Sequence, residues 1–154
     1  MTAENRNTIL ISSLYGAQRD YQNGATPILP GHIIEHAADG TVAPHGTADG
    51  PVHCMVALEN DLQGKTWKEE YPAGERVQSM VFLPGDEFMG RISSGENIVR
   101  GDYLTSNGDG TLKKYASNTA APHANIIVGI AKESVDMSVS SPSDPEGFCI
   151  VEVL

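Results

Sequence analysis

Short apolar runs alternate with turn-forming residues along the chain, and their spacing is that of β-strands. Runs of roughly four to eight β-branched and aromatic residues, bounded by Gly, Pro, Asn or Asp, are typical of strands buried in a sheet. Such runs predict buried strands at residues 52–58, 125–130 and 148–153. Short strands at spacings of roughly 8 to 12 residues, with almost no helical pattern, indicate an all-β domain of the barrel or sandwich type.

The best hairpin signal in the chain is the motif Asn107-Gly108-Asp109-Gly110, which separates residues 103–104 from residues 111–112. Asn-Gly and Asp-Gly supply the positive φ angles that tight hairpin turns need. We therefore expect a hairpin here, followed after a polar loop by the strand at 125–130.

A second turn motif, Pro84-Gly85-Asp86, separates predicted strands at 75–83 and 87–92, and it predicts a second hairpin. The remaining predicted elements are a strand at 32–36, a turn at 39–40 that leads to a strand at 41–42, one helical turn at 66–69 with Thr66 and Glu69 at capping-box spacing, and a loop at 134–147.

The N-terminal segment differs in composition from the rest of the chain. Up to about residue 25 it is short of apolar residues, except at 8–11 and at Leu14-Tyr15. An apolar segment inside a polar arm is either an edge strand of the domain or a segment that becomes ordered on a partner, and both alternatives stay open. We predict an extended N-terminal arm at 1–26 and a β-barrel body at 27–154.

Composition and charge narrow the class of protein. A chain of 154 residues suits one domain with a real core. No apolar run approaches the roughly 20 residues of a membrane helix, and the first residues lack the pattern of a signal peptide, so we expect no membrane partner. The net charge of -10 argues against nucleic acid as a partner, because binding phosphates requires clustered Lys and Arg. Such a charge fits a highly soluble protein, or one attracted to a basic surface.

The two cysteines, Cys54 and Cys149, are too few for a disulfide framework, and free thiols in a protein made in the cytoplasm are the simplest interpretation. A nucleophilic Cys54 activated by His53 is disfavoured, because adjacent residues of a strand point to opposite faces. Gly64-Lys65-Thr66 lacks the upstream glycine and the strand-to-helix setting of a phosphate-binding loop.

Two motifs resemble metal sites. His32-Ile33-Ile34-Glu35-His36 matches the H-x-x-E-H pattern of inverted zinc proteases, which requires a helix, but Pro30-Gly31 and Asp39-Gly40 leave little room for one. Residues 105–116 imitate a calcium loop but have Thr105 at the first place and Ala116 at the twelfth, where the bidentate Glu belongs. We therefore predict no metal, no cofactor and no catalytic residue, and hence no enzyme.

A further pattern is the order of turns and strand ends from residue 30 onward. It comprises Pro30-Gly31-His32-Ile33-Ile34-Glu35, Ala57-Leu58-Glu59-Asn60, Gly64-Lys65-Thr66, Tyr71-Pro72-Ala73-Gly74-Glu75-Arg76-Val77, Gly101-Asp102-Tyr103-Leu104, the turn at 107–112 and Val128-Gly129-Ile130-Ala131. This order resembles that of the head-decoration, or capsid cement, proteins of tailed bacteriophages.

The resemblance implies a compact β-barrel or β-tulip fold and a non-enzymatic role. It implies a homotrimer that binds the outer surface of an expanded capsid and clamps neighbouring major capsid subunits. The protein would then be made in the cytoplasm of a host bacterium and would reside on the outer capsid surface of the virion.

The resemblance also implies that an N-terminal arm makes the capsid contact. The candidate residues for the capsid or subunit interface are Thr8, Ile9, Leu10, Ile11, Leu14, Tyr15, Trp67 and Tyr71. The alternative from another class is a small-ligand or carbohydrate-binding β-domain of a phage tail or surface protein. That function would use exposed aromatic rings, for which Trp67 and Tyr71 are the one candidate pair; as a packing anchor, the same pair would be structural.

Overall fold

The structure, a computed structural model, describes residues 8–14, 16–116, 126–139 and 147–154. The all-β prediction is confirmed: these residues form β-strands and one short 3-10 turn at Asp61–Gln63. Within these ranges, no helix is long and apolar enough to cross a membrane. The strands are β1 (Leu10–Ser12), β2 (Ala17–Gln22), β3 (Ile34–His36), β4 (Val42–Pro44), β5 (Met55–Ala57), β6 (Arg76–Val81), β7 (Glu87–Arg91), β8 (Asn97–Ile98), β9 (Tyr103–Ser106), β10 (Leu112–Lys114), β11 (Ile127–Ala131), β12 (Val135–Asp136) and β13 (Phe148–Val153).

The largest sheet has six antiparallel strands in the order β1-β7-β13-β11-β9-β10. Its end strands, β1 and β10, do not pair with each other, so the described strands form no closed barrel. The prediction of a barrel is wrong in this respect. An alternating pattern of apolar residues determines which side of a strand is buried, but it does not determine whether the two ends of a sheet meet. The remaining sheets are β2-β6-β5, β3-β4 and β8-β12.

The hairpin predicted at residues 103–112 is confirmed. β9 and β10 pair with Ser106 opposite Leu112, and the Asn107 N–H donates a hydrogen bond to the Thr111 carbonyl at 2.9 Å. Gly110 has a φ of 86°, and a Cβ atom there would lie 2.9 Å from the His32 ring, so both conformation and space require glycine.

The second predicted hairpin does not form. The turn at 84–86 is present, but β6 pairs with β2 and β5, whereas β7 pairs with β1 and β13. The chain therefore passes from one sheet to another at this turn. A turn motif specifies a reversal of direction, and the reversal is compatible with pairing or with passage between two packed sheets.

The N-terminal segment pairs with the body. β1 lies beside β7, with Leu10 opposite Phe88, and β2 lies beside β6 over six residue pairs from Ala17–Val81 to Gln22–Arg76. The described part of the segment therefore forms edge strands of the domain, which is one of the two alternatives that the sequence left open. The division of the chain into 1–26 and 27–154 stays a prediction.

Two clusters of buried residues form the core. The larger lies against the six-stranded sheet and includes Phe82, Phe88 and Phe148; the smaller lies against the β2-β6-β5 sheet and includes Met55 and Tyr71. The even-numbered and odd-numbered residues of β6 point to opposite faces. Hence Met80 joins the larger cluster and Val77 the smaller.

Three further predictions concern the helical turn at 66–69, the loop at 134–147 and the strand at 148–153. Residues 66–69 form a turn in which the Glu69 N–H donates to the Thr66 carbonyl and the Thr66 N–H donates to Glu69 Oε1, whereas the 3-10 turn lies earlier, at Asp61–Gln63. The predicted loop at 134–147 contains the two-residue strand β12, and its residues 140–146 lie outside the described residues. The strand predicted at 148–153 matches β13 in both bounds.

Candidate interaction surface

Asp86 links its own turn to two chain segments that are distant in sequence, those at Ser13 and Val153. Its carboxylate accepts hydrogen bonds from the Ser13 hydroxyl at 2.9 Å and from the Leu83 N–H at 2.8 Å. Its backbone carbonyl accepts a bond from the Val153 N–H at 2.9 Å. A buried carboxylate with several donors fixes the positions of the groups around it.

Each of these three segments carries an exposed leucine. Leu14 follows Ser13 and is 87% exposed, Leu83 is 41% exposed, and Leu154 follows Val153 and is 52% exposed. Single exposed apolar side chains are common on protein surfaces and do not by themselves mark an interaction site.

The outer edge of β2 is the second feature. The Leu58 N–H donates to the Gln78 carbonyl and the Phe82 N–H donates to the Cys54 carbonyl, so the even-numbered residues of β6 direct their backbone groups toward β5. The odd-numbered residues of β6 therefore bond to β2, where Ser79 lies opposite Arg19. It follows that the N–H groups of Gln18 and Asp20 point away from the sheet.

In the part of the chain that the structure describes, no strand pairs with this edge over residues 17–21. A shallow groove of about 300 Å³ runs beside it, lined by Gln18, Arg19, Asp20, Leu62 and Gln78. Leu62, which is 85% exposed, is the one apolar residue that lines the groove. The Gln18 carbonyl on this edge accepts a bond from Arg19 Nη1 at 3.0 Å. The outward N–H groups beside a groove still offer pairing for an extended segment and room for its side chains.

The residues predicted for an interface occupy different environments. Thr8 and Leu14 are exposed, Leu10 and Ile11 are half-buried in the edge strand β1, and Tyr15 lies outside the described residues. Ile9 is fully buried, and its N–H donates to Glu59 Oε2 at 3.0 Å. Ile9 is therefore a core residue of this chain.

Tyr71 and Trp67 do not form one aromatic surface. Tyr71 is 1% exposed, its hydroxyl donates to the Leu58 carbonyl at 2.7 Å, and burial raises the pKa of that hydroxyl above its usual value. Trp67 packs edge-on against Phe148, with the ring centroids 4.9 Å apart. The two residues belong to different core clusters, so each is a packing anchor rather than part of a shared aromatic surface.

His32 and His36 do not share a helix face, since His36 ends the strand β3. His32 is buried, and its Nδ1 accepts a hydrogen bond from the Leu29 N–H at 3.2 Å. Burial, together with the nearby Arg91 guanidinium, lowers the pKa of His32 to about 4. The His36 ring instead packs edge-on against Tyr21 at 4.8 Å.

A Glu-His-Ser arrangement that sequence reasoning missed lies behind the hairpin. His45 Nδ1 is 2.6 Å from Ser106 Oγ, and His45 Nε2 is 3.6 Å from Glu35 Oε2 and 3.0 Å from the Pro51 carbonyl. These residues are far apart in sequence, so no spacing pattern could have indicated the contact. Ser106 is fully buried and its Oγ also accepts the Gly108 N–H, so a substrate has no access to the hydroxyl.

The other two candidate motifs are structural. The Asp109 carboxylate accepts hydrogen bonds from the Thr111 N–H and hydroxyl within the hairpin turn. Burial, followed by the charge of Asp86, raises the pKa of the Cys54 thiol to about 12, which disfavours the nucleophilic thiolate. Among the described residues, no three His, Cys, Asp or Glu side chains converge as metal ligands would.

Comparisons with known proteins show that the fold of this chain is similar to that of a solved structure. No protein-family model matches the chain, and no curated protein matches it. Among solved structures, the chain is similar to the N base of head fiber gp8.5 in bacteriophage phi29, with a TM-score of 0.56 and 12% sequence identity. The likeness covers 91% of this chain and 95% of that chain, so it extends over nearly the whole of both.

Proposed function

We propose that this protein is a non-enzymatic structural component of a phage virion, bound to the outer surface of the head. The observation that carries the proposal is the likeness of fold to the base of a phage head fiber, which extends over 91% of the chain. The resemblance of the turn motifs to those of head-decoration proteins supports the same role. In this proposal, a homotrimer stabilises the head by clamping neighbouring major capsid subunits.

The described surface fits a binding role better than a catalytic one. The one arrangement that resembles a catalytic triad has its serine fully buried. The described surface instead presents an open strand edge beside a groove that Leu62 helps to line. A trimer multiplies a modest contact per chain, because the second and third contacts form at a high effective concentration.

We place the contact with the capsid at the outer edge of β2. The N–H groups of Gln18 and Asp20 point outward there, and an extended capsid segment would pair with them as an added strand. Side chains of that segment would enter the groove against Leu62. The net charge of -10 favours a basic segment as the occupant.

The carbohydrate-binding alternative receives less support. The groove beside β2 has amide and carboxylate side chains that a sugar would bind, but no aromatic residue lines it. Trp67 and Tyr71, the candidate platform, pack into separate clusters.

The test uses heads of the phage whose genome encodes the chain, purified without the protein. We expect the wild-type protein to sediment with them and to raise the temperature at which they release DNA. Electron microscopy should then show added density on the outer surface at three-fold positions. Heads that remain bare at saturating protein would overturn the proposal.

A matched pair of variants tests the contact at β2. Asp20→Pro removes the outward N–H without removing a bond to β6, because proline is tolerated where an edge N–H faces solvent. Asp20→Thr loses the same carboxylate but keeps the N–H. We expect Asp20→Pro to bind heads at least tenfold more weakly than Asp20→Thr, and equal binding would place the contact elsewhere.

A further inference from the structure

The chain contains two Asn-Gly steps, Asn23-Gly24 and Asn107-Gly108, and the structure gives them different surroundings. An Asn-Gly step loses ammonia when the glycine nitrogen attacks the asparagine Cγ atom, because glycine has no Cβ atom to shield that nitrogen. The attack requires a base that removes the proton of the glycine N–H. The group that accepts the hydrogen bond from each glycine N–H therefore determines which of the two steps reacts.

The Gly108 N–H stands at one end of a series of hydrogen bonds that all run in the same direction. His45 Nε2 is 3.0 Å from the Pro51 carbonyl, which can only accept, so in the neutral ring Nε2 carries the proton and Nδ1 is an acceptor. The Ser106 hydroxyl, 2.6 Å away, then donates to Nδ1. Its oxygen accepts the Gly108 N–H at 3.2 Å. We call the Gly108 N–H, the Ser106 hydroxyl and the His45 ring the proton relay.

Glu35 lies at the far end of the proton relay. Its Oε2 is 3.6 Å from His45 Nε2, and its Oε1 accepts the Gly46 N–H at 3.2 Å, which holds the carboxylate in place. An imidazolium formed at His45 therefore faces an opposite charge. The same arrangement of carboxylate, imidazole and hydroxyl activates a serine in hydrolases, where the carboxylate orients the ring and stabilises its protonated form.

The other Asn-Gly step has a carbonyl in place of a base. The Gly24 N–H donates to the Val42 carbonyl at 3.0 Å, and a backbone carbonyl does not take up a proton. Asn23 is 2% exposed, and its Nδ2 donates to the Tyr71 and Pro72 carbonyls at 3.1 and 3.2 Å. This step is therefore held in an unreactive arrangement.

We propose that Asn107-Gly108 is a site of self-modification, at which the proton relay promotes the deamidation of Asn107. The buried Ser106 hydroxyl is closed to an external substrate, but the protein's own Gly108 nitrogen is in direct contact with it. Asn107 and Gly108 are half-buried at the hairpin turn, so water reaches the step. The inference is independent of the proposed function, since the reaction needs water alone.

The reaction balances with water as the other reactant. Gly108 N gives its proton to Ser106 Oγ while the Ser106 hydroxyl proton moves to His45 Nδ1. The Gly108 nitrogen then forms a bond to Asn107 Cγ. The Cγ–Nδ2 bond breaks, and Nδ2 leaves as ammonia with the proton that His45 returns by way of water. Water finally opens the resulting succinimide at either carbonyl carbon, which leaves aspartate or isoaspartate at position 107.

The product changes the β9–β10 hairpin. A carboxylate at position 107 adds a negative charge near Asp109, whose own carboxylate accepts the Thr111 N–H and hydroxyl. Isoaspartate also lengthens the backbone by a methylene group. That change disturbs the bond from the Asn107 N–H to the Thr111 carbonyl, which closes the hairpin at 2.9 Å. The reaction therefore loosens the turn.

The test follows both steps in the full chain by peptide mapping with mass spectrometry during incubation at neutral pH. We expect deamidation at Asn107 to be several-fold faster than at Asn23 in the folded protein. In urea the chain is unfolded and the proton relay is lost. Asn107 should therefore react more slowly in urea than in the folded protein, which is the reverse of the usual protection by folding.

Two substitutions at Ser106 form a matched pair. Ser106→Ala removes the proton relay and should slow deamidation at Asn107 several-fold, whereas Ser106→Thr keeps a hydroxyl and should retain most of the wild-type rate. A merely structural role of Ser106 predicts the opposite sign, because a loosened hairpin exposes Asn107 and speeds its reaction. The rate at Asn23 reports whether each variant is folded, since this step loses its protection in an unfolded chain.

Either of two results would overturn the inference. One is a folded wild-type protein in which Asn107 reacts no faster than it does in urea. The other is a folded Ser106→Ala variant in which Asn107 reacts at the wild-type rate or faster. If Ser106→Ala does not fold, the comparison of the folded wild type with the wild type in urea decides alone.

Discussion

The rings of Phe82 and Phe88 lie 5.0 Å apart between centroids, at an interplanar angle of 32°, on either side of the turn at 84–86. Phe82 follows β6 of the three-stranded sheet, whereas Phe88 lies in β7 of the six-stranded sheet. The two rings therefore join the sheets at the point where the chain passes between them, and both belong to the larger core cluster.

This contact leads to the first prediction. Phe88 is fully buried, so Phe88→Ala should lower the free energy of unfolding by about 3 to 5 kcal/mol, through lost burial and the cavity that remains. Urea unfolding followed by fluorescence measures the change. Tyr103→Ala, at a residue that is 48% exposed, is the control and should change stability by less than about 1 kcal/mol. A similar cost for both variants would contradict the assignment of Phe88 to the core.

The second prediction concerns Asp86. Asp86→Ala removes the acceptor of the Ser13 hydroxyl and the Leu83 N–H, and should cost about 1 to 3 kcal/mol because these donors lose their partner. Asp86→Asn keeps one carbonyl oxygen and should recover part of the loss. Thermal unfolding of the three proteins gives the comparison. Equal melting temperatures for wild type and Asp86→Ala would show that Asp86 does not hold the three segments together.

The third prediction concerns the N-terminal segment. A chain that starts at Thr26 lacks β1 and β2, so it loses the buried Ile9 and leaves edges of β6 and β7 unpaired. We expect this chain to unfold or aggregate, since a buried Ile alone contributes about 2 to 5 kcal/mol. A chain that starts at Thr8 keeps every described contact and serves as the control. Normal melting of the Thr26 chain would instead support a separate arm at residues 1–26.

The fourth prediction is a loss of stability in acid that depends on His32. The pKa of its ring falls from the ordinary 6.5 to about 4 in the folded protein, because burial favours the neutral form. Between these pH values the unfolded chain binds more protons than the folded chain. The free energy of unfolding therefore falls as the pH drops from 6.5 to about 4, by about 3 kcal/mol at most.

Urea unfolding at several pH values compares the wild type with His32→Asn, whose side-chain oxygen replaces Nδ1 as the acceptor for the Leu29 N–H. The variant should be less sensitive to pH between 6.5 and 4, while His36→Gln should retain the wild-type dependence. Identical slopes for wild type and His32→Asn would contradict the role of His32.

Features that depend only on neighbouring residues could be predicted from the amino-acid sequence. The apolar run at 148–153 is the strand β13, and the Asn-Gly and Asp-Gly steps produce the β9–β10 hairpin. These features are predictable because side-chain alternation and backbone conformation at glycine act over a few residues. The all-β class followed from many such local signals together.

The pairing of the strands and the surfaces that result from it could not be predicted from the sequence. The turn at 84–86 connects two sheets instead of two hairpin partners, Ile9 and Tyr71 are buried, and Ser13, Leu83 and Val153 meet at Asp86. Each outcome depends on contacts between residues that are distant in sequence. The pattern at any one segment is compatible with several partners, and the summed packing of the whole chain selects one of them.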